Sequence, residues 1–490
     1  MKPAEISDVS STTTTTTSSS SSSSSASSII VDWTGEQDPA RPQNWPTWRK
    51  WAIVVTTTSI TFVVSFGSSI FSAALHDLED ELDIPQHVAV LGISLYVAGF
   101  ALGPMIWGPA SELYGRTSPL WLGYAAFLLF QVPLADSEHI HVILASRFAA
   151  GLSGSAPLAI VAGMYVDFLN PPERGIATSV FSLGVFCGPV TGPVLGTMVT
   201  DRFGWRWTVW MTLFMGLGLG LLCVLSTPET AEHVLLRRRA HALRLKTADW
   251  ALHARCEETP VDMRAFRERY LTKPVKMLSA EPVLAIFTVY MSLVYGILYL
   301  TLMLYPYAFG KGRGMSAVQA SLPFLYLLLG IVLACIVLAL YSVYYIGRRQ
   351  AATKPLTPEH RLPPVILGSL FLPSGLLWFA CTCDGDIAWH LQAASGVFIG
   401  FGIILVFMSS LHYLVEVYLL HANSALAINT CVRSIIAACF PVLSGHMLSA
   451  LEVEWSGILL AGLCLLLAPF PVLMMCYGAR VRGWSKFCRH

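Results

Sequence analysis

The chain has 490 residues, of which 54% are apolar and only 12% charged, and its 31 Lys plus Arg nearly cancel its 30 Asp plus Glu. Soluble domains carry about 25% charged residues, so roughly half of the usual solvating surface is missing. Such a balance excludes a multidomain aqueous enzyme and an electrostatic nucleic-acid binder, and leaves a polytopic membrane protein whose first partner is the lipid bilayer. The 11 Cys are scattered singly through apolar stretches. The one close pair, Cys381 and Cys383, has no His or second pair at ligand spacing, so no metal and no other cofactor is expected.

Residues 1–50 differ from the rest. Ser10 to Ser25 is an unbroken Ser/Thr run that cannot bury a core, and the segment reads as a disordered polar tail. The first long apolar run begins after Trp51, so the first membrane helix is expected to act as the targeting signal. From there, spans of roughly 20 apolar residues recur, the length that crosses about 30 Å of hydrocarbon. They lie near 51–72, 88–109, 118–135, 140–166, 176–200, 207–226, 282–304, 320–342, 363–382, 389–415, 424–448 and 455–477. The largest break, Thr227 to Glu281, is polar and holds 11 Lys/Arg. The expected organisation is therefore an all-α membrane protein with a six-helix bundle at 51–226, a central loop at 227–281, a second six-helix bundle at 282–478 and a short tail at 479–490.

Positive charge sets orientation, because Lys and Arg near helix ends stay on the cytoplasmic side. With the amino terminus inside, the inner segments hold 25 Lys/Arg and the outer ones four: Arg202, Arg206, Lys311 and Arg313. The first outer loop, His76 to Asp83, carries five carboxylates and no Lys or Arg. Both termini are expected in the cytoplasm.

The break between the second and third spans reads Gly108-Pro-Ala-Ser-Glu112-Leu-Tyr-Gly115-Arg116, a small-residue turn with one acid and one base. The fourth span carries Arg147-Phe-Ala-Ala-Gly151. A guanidinium at hydrocarbon depth costs about 2.5–3.5 kcal/mol on insertion scales, so Arg147 needs a cavity, a partner or an outward snorkel. The fifth span contains Gly184, Gly188-Pro189, Gly192-Pro193 and Gly196. Glycine at four-residue spacing makes a flat face for close helix packing, and the prolines remove backbone bonds and permit bending. The eleventh span places Asn429 and Arg433 one turn apart.

These motifs together resemble the major facilitator superfamily, and within it the drug:proton antiporter branch with twelve helices, as in fungal exporters of the polyamine and multidrug type. The sequences around Asn44-Trp45-Pro46 and Asn423 to Ser434 match that branch, and the resemblance covers residues 32–480. It implies a major facilitator fold of two hinged bundles, with the fourth-span Arg147 tied to substrate binding and proton transfer and the fifth-span glycines and prolines forming the antiporter motif. The loop after the second span implies a gate in which Arg116 pairs with Asp167 and Glu112 faces a helix end of the other bundle. This copy departs from the family in having Glu112 where Asp is usual and Thr117 after Arg116. The second half echoes the first faintly, with Tyr345-Ile-Gly347-Arg348-Arg349 after the eighth span and Glu416 ending the tenth.

The reading that follows is a transporter and not an enzyme: efflux of a small organic molecule by alternating access, with substrate and proton candidates Arg147, Arg433, His412, Tyr295 and Asn429. Span interiors hold two arginines and no carboxylate, which favours a neutral or anionic cargo, such as an organic acid or secondary metabolite, over a polycation. A broad multidrug or polyamine exporter, facilitated export of an itaconate-like dicarboxylate or a glycolipid, and a transporter-like receptor remain open. The protein is expected to be a monomer in the plasma membrane, its partners being a small-molecule substrate and protons, with no nucleic acid.

Overall fold

The computed structural model describes residues 30–258, 268–351, 357–485 and 487–488. The Ser/Thr run Ser10 to Ser25 lies outside the described residues. Eleven helical runs are long and apolar enough to cross a bilayer. The last, Ala422–Gly483, has 62 residues, about 93 Å at 1.5 Å per residue and three times the hydrocarbon thickness. Glu452 breaks it with a positive φ of 56°, so it makes two crossings and the described chain makes twelve.

The first bundle comprises α1 (Thr47–Ser69), α2 (Gln86–Tyr114), α3 (Thr117–Asp136), α4 (Ile140–Phe168), α5 (Pro171–Phe203) and α6 (Arg206–Ser226). The second comprises α7 (Pro282–Lys311), α8 (Ala317–Arg349), α9 (Pro358–Cys381), α10 (Trp389–Val417), α11 (residues 422–451) and α12 (residues 453–484). Lipid is as apolar as leucine, so these helices associate through close packing and buried polar contacts, not through a hydrophobic force. Helix α2 packs on α4 and α1 on α5; in the second bundle α7 packs on α11 and α10 on both α8 and α9. Across the divide, α2 meets α11 and α5 meets α8.

The glycines of α5 explain the α1–α5 contact. A methyl group added at Gly188 would lie 2.6 Å from the Phe66 backbone nitrogen, and one at Gly192 would lie 2.8 Å from that of Ile70. Gly184 and Gly196 meet Thr58 and Ala73 in the same way. The ladder thus seats α5 backbone to backbone along α1. Pro189 and Pro193 lie inside α5, whose helical run is unbroken to Phe203.

Two sequence expectations are corrected. The acidic stretch His76 to Asp83, read as a loop, forms a helix, Leu75–Leu82. Leu75 and Leu78, three residues apart, bury one side of it, and Asp83 ends it at φ 49°. The polar material on the linker side is also folded. Residues 30–46, read as part of a disordered tail, are ordered: Val31 to Asp38 pack on a linker helix, Glu232–Thr247, that the charge-mixed composition of 227–281 concealed, and Trp45 packs on Phe168 of α4. Val31, Ala240 and Ala254 form a small core with Leu236, Leu243 and Leu252. Asp38 anchors the arm: it accepts from Thr34 and Ala40 and pairs with Arg239 at 2.6 Å. These donors, Arg239 foremost, hold its carboxyl well below the usual range.

Candidate functional site

The two intramembrane arginines flank the divide between the bundles, and the structure gives them opposite environments. Arg147 on α4 is 2% exposed. Its Nε donates to Gly92 O at 2.8 Å, one terminal nitrogen to Gly67 O at 2.7 Å and the other to Ser68 O at 3.1 Å. The rings of Phe71 and Tyr96 cover the guanidinium at 4.7 and 4.3 Å. Glycine at 92 and 67 makes room for these rings, since a methyl at Gly92 would lie within 3.0 Å of Phe71 and one at Gly67 3.2 Å from the Tyr96 hydroxyl, and Gly151 on α4 lets the Tyr96 backbone of α2 come close. Arg147 therefore ties α1, α2 and α4 together through neutral dipoles, and charge-assisted bonds of this kind offset its transfer cost.

Arg433 on α11 has no such cage. Its guanidinium carbon lies 4.6 Å from the ring centroids of both Tyr295 on α7 and Phe407 on α10. Its Nε is buried and meets no acceptor among the described residues. One turn earlier, Asn429 donates to Thr288 Oγ1 at 3.1 Å and leaves its buried Oδ1 without a donor among the described residues. Phe186 of α5 packs edge-on against Tyr295 and Phe407, at 6.4 and 5.0 Å between centroids. Tyr299, one turn after Tyr295, meets Ser68 Oγ at 3.0 Å across the divide. A continuous thread thus runs from Arg147 through Ser68, Tyr299 and Tyr295 to Arg433. Chemically it offers a cation between aromatic faces with hydrogen-bonding capacity in reserve.

At the linker face, Arg116 Nε lies 3.1 Å from an Asp167 oxygen. Glu112 accepts from Asn423 at the start of α11 at 2.5 Å, and from the Tyr270 hydroxyl. The sequence reading missed Glu229, just after α6. It is 5% exposed and accepts from the backbone N–H of Arg116 at 2.9 Å and from Thr117 N–H and hydroxyl at 3.3 and 2.7 Å. It also accepts from the N–H groups of Thr230 and Ala231, both at 3.0 Å. One carboxylate therefore caps both α3 and the linker helix, using the N-terminal donors that a helix cannot satisfy itself. Burial works against its charged form, but the Ala231, Thr117 and Arg116 donors outweigh burial and hold the carboxyl below its ordinary value. Gly115, at φ 93°, is required by the same contact, since a methyl there would lie 2.6 Å from a Glu229 oxygen. The available signal was Thr117 itself, a hydroxyl donor where the family carries a base.

In the second half, Glu416 pairs at 2.7 Å with Arg361. Its partner comes from the first turn of α9, and not from Arg348 or Arg349 at the end of α8. His412 lies on the same helix one turn before Glu416, within electrostatic reach of Arg361. The structure therefore brings Tyr295, Asn429 and Arg433 together on the second-bundle side of the divide. It places Glu112, Arg116 and Asp167 together at the linker face, and leaves Arg147 enclosed in its own bundle.

Comparison with known proteins agrees with this architecture. The sequence profile described as Major Facilitator Superfamily matches residues 57–435. The citrinin biosynthesis cluster MFS transporter of Monascus ruber is 42% identical, covering 94% of this chain and 92% of the relative. The ascochitine biosynthesis cluster MFS transporter of Didymella fabae is 39% identical over 94% and 89% of the two chains. The cercosporin MFS transporter of Cercospora nicotianae is 38% identical over 94% and 90%. Among solved structures, the proton:xylose symporter XylE superposes with a TM-score of 0.64 at 14% identity, covering 88% of this chain and 96% of that one. With two six-helix bundles, a profile match across both and relatives this similar along nearly their whole length, the chain belongs to the major facilitator superfamily of membrane transporters.

Proposed function

We propose that this transporter exports an anionic or neutral ring-bearing secondary metabolite by alternating access, and that Arg433 is the residue that recognises it. The observation that carries the reading is the Arg433 setting: a guanidinium 4.6 Å from two aromatic centroids, with a buried Nε–H that meets no acceptor among the described residues. A carboxylate or phenolate on a planar cargo answers both features, since it takes the donor while its ring stacks on Tyr295 or Phe407. Asn429 Oδ1, one turn away, supplies an acceptor for a cargo hydroxyl. A polyamine would meet no carboxylate within the span interiors. The names of the relatives, attached to citrinin, ascochitine and cercosporin, support a secondary metabolite as the cargo class.

In this reading Glu112, Arg116, Asp167 and Glu416 are gate residues, the glycine ladder with Pro189 and Pro193 is the seat on which α5 turns, and both termini lie in the cytoplasm of a plasma-membrane protein. Export is driven by proton antiport, with Asp167, Glu416 and His412 as the sites that exchange the proton. Proteoliposomes test this directly. Uptake of a fluorescent xanthene carboxylate into inside-out vesicles should rise with an imposed pH gradient and fall about tenfold or more in Arg433→Gln, while Arg433→Lys keeps part of it. Equal uptake by wild type and Arg433→Gln would overturn the recognition role, and indifference to the gradient would overturn antiport.

A further inference from the structure

The linker helix Glu232–Thr247 has two long sides with different fates. One is covered. Leu236, Ala240 and Leu243 pack under the arm and the returning chain, Arg239 pairs with Asp38, and Arg244 pairs with Glu257 at 2.5 Å. The other side begins at Val234, which is buried against the α2–α3 turn: a methyl at Gly115 would lie 3.0 Å from Val234 Cγ2. That contact marks the side of the helix that rests on the membrane bundle. Successive residues turn by about 100°, so Arg237, Arg238, His241 and Leu245 all project within about 60° of the Val234 direction. All four are exposed, Leu245 at 65%, and Trp250 just past the helix end is exposed at 72%. The helix side that touches the embedded bundle at one end thus continues as two guanidinia, an imidazole and a leucine, with an indole beyond.

We propose that this side is a docking surface for anionic phospholipid in the leaflet on the linker face, with Arg237 and Arg238 holding headgroup phosphate and Leu245 and Trp250 entering the interfacial layer. Arginine forks match phosphate geometry, and a helix carrying basic residues beside leucine and tryptophan is suited to the headgroup boundary. Two carboxylates lie nearby. Glu257 lines the same cleft as Arg237, Arg238 and His241 but is engaged by Arg244, and Asp249 is exposed beyond the helix. The cleft stays net positive. A phosphorylated peptide would satisfy the arginines as well, but it gives no reason for Leu245 on that side and Trp250 just past the helix end to stand exposed. Lipid accounts for both.

The test uses the full-length protein in nanodiscs of pure phosphatidylcholine or with one third phosphatidylserine. Hydrogen exchange of residues 241–250 should slow several-fold in the anionic discs and revert in high salt. Native mass spectrometry should show retained phosphatidylserine, weakened about fivefold per arginine removed and so about 25-fold in Arg237→Gln/Arg238→Gln. Should that double variant fail to fold, Leu245→Ser and Trp250→Ser must each reduce the exchange protection. Protection that is the same in both lipids, or retention unchanged in the double variant, overturns the proposal. So does protection that instead requires phosphorylation of the Ser10 to Ser25 run, which would assign the surface to a peptide.

Discussion

The two intramembrane arginines carry the same charge and should fail differently when replaced. Arg147 gives three donors to three carbonyls, so Arg147→Ala removes a charge-assisted bond from each of Gly67, Ser68 and Gly92 in the buried interior. Each such loss costs about 1–3 kcal/mol, and the thermal midpoint of the purified protein should drop sharply, with Arg147→Lys restoring only part of it. Arg433 has two rings beside it and a donor in reserve, so Arg433→Gln should leave the midpoint within a few degrees while export falls about tenfold or more. Comparing melting with transport for the two positions checks both roles. Glu229 adds a pH signature. Its carboxyl is held below the ordinary value of 4.5, so its contribution is complete above that value and is lost as pH falls through the lowered pKa. Wild type should exceed Glu229→Gln in thermal stability at pH 6 to 7, and the difference should vanish in strong acid. A constant difference across that range would mean that the cap does not depend on the charged form.

At the scale of helices, the α1–α5 seat depends on missing side chains. Gly188→Leu would drive a branched side chain into the Phe66 backbone, which cannot yield as a flexible side chain can. Expression with loss of transport is the expected result, and Gly188→Ala should be a milder version of it, scored by export rate against surface abundance. This ladder was legible in the sequence because four-residue spacing survives translation into a helix face, and the spans were legible because hydrocarbon imposes a length. The arm and linker helix were not. Their core is three small residues and a few leucines, too little apolar periodicity to stand out from a charged segment, and the arm's hold on it, Asp38 to Arg239, joins residues 201 positions apart. The Arg433 site was half legible. An intramembrane cation announced itself, but its ring partners arrive from α7 and α10 and only the fold brings them together. Arg147 was legible as a cation in need of a cavity, a partner or an outward snorkel, but no sequence pattern marks backbone carbonyls as its partners.

For the whole molecule, the proposed alternating access requires that contacts across the divide break as the halves rock. Helices α5 and α8 come from different bundles and touch at both ends. At the face away from the linker, Thr197 Oγ1 lies 3.0 Å from Ser321 Oγ. At the linker face, a methyl at Gly175 would lie 3.1 Å from Ser342 Cβ. Helix α2 adds the Glu112 to Asn423 bond at the linker face, and Ser68 to Tyr299 spans the divide between them. The described structure is therefore joined across the divide at both faces and in between. Alternating access cannot keep both ends joined: release on either side requires one α5–α8 end to part while the other serves as the pivot. Disulfides convert this into a measurement: the Thr197 and Ser321 hydroxyls are 3.0 Å apart, and a Cβ at Gly175 would lie 3.1 Å from Ser342 Cβ, so a shift of a few tenths of an ångström reaches the Cβ separation of about 3.5–4.5 Å that a disulfide spans. In a background freed of the native cysteines, Thr197→Cys with Ser321→Cys should crosslink on oxidation, stop export and recover on reduction. Gly175→Cys with Ser342→Cys should do the same from the opposite face. The two crosslinks should differ in what they trap: the first leaves cargo able to bind from the linker side, the second only from the other. Export that persists through either oxidised pair would mean that α5 and α8 move as one body, and that the path across the membrane opens somewhere other than between the two bundles.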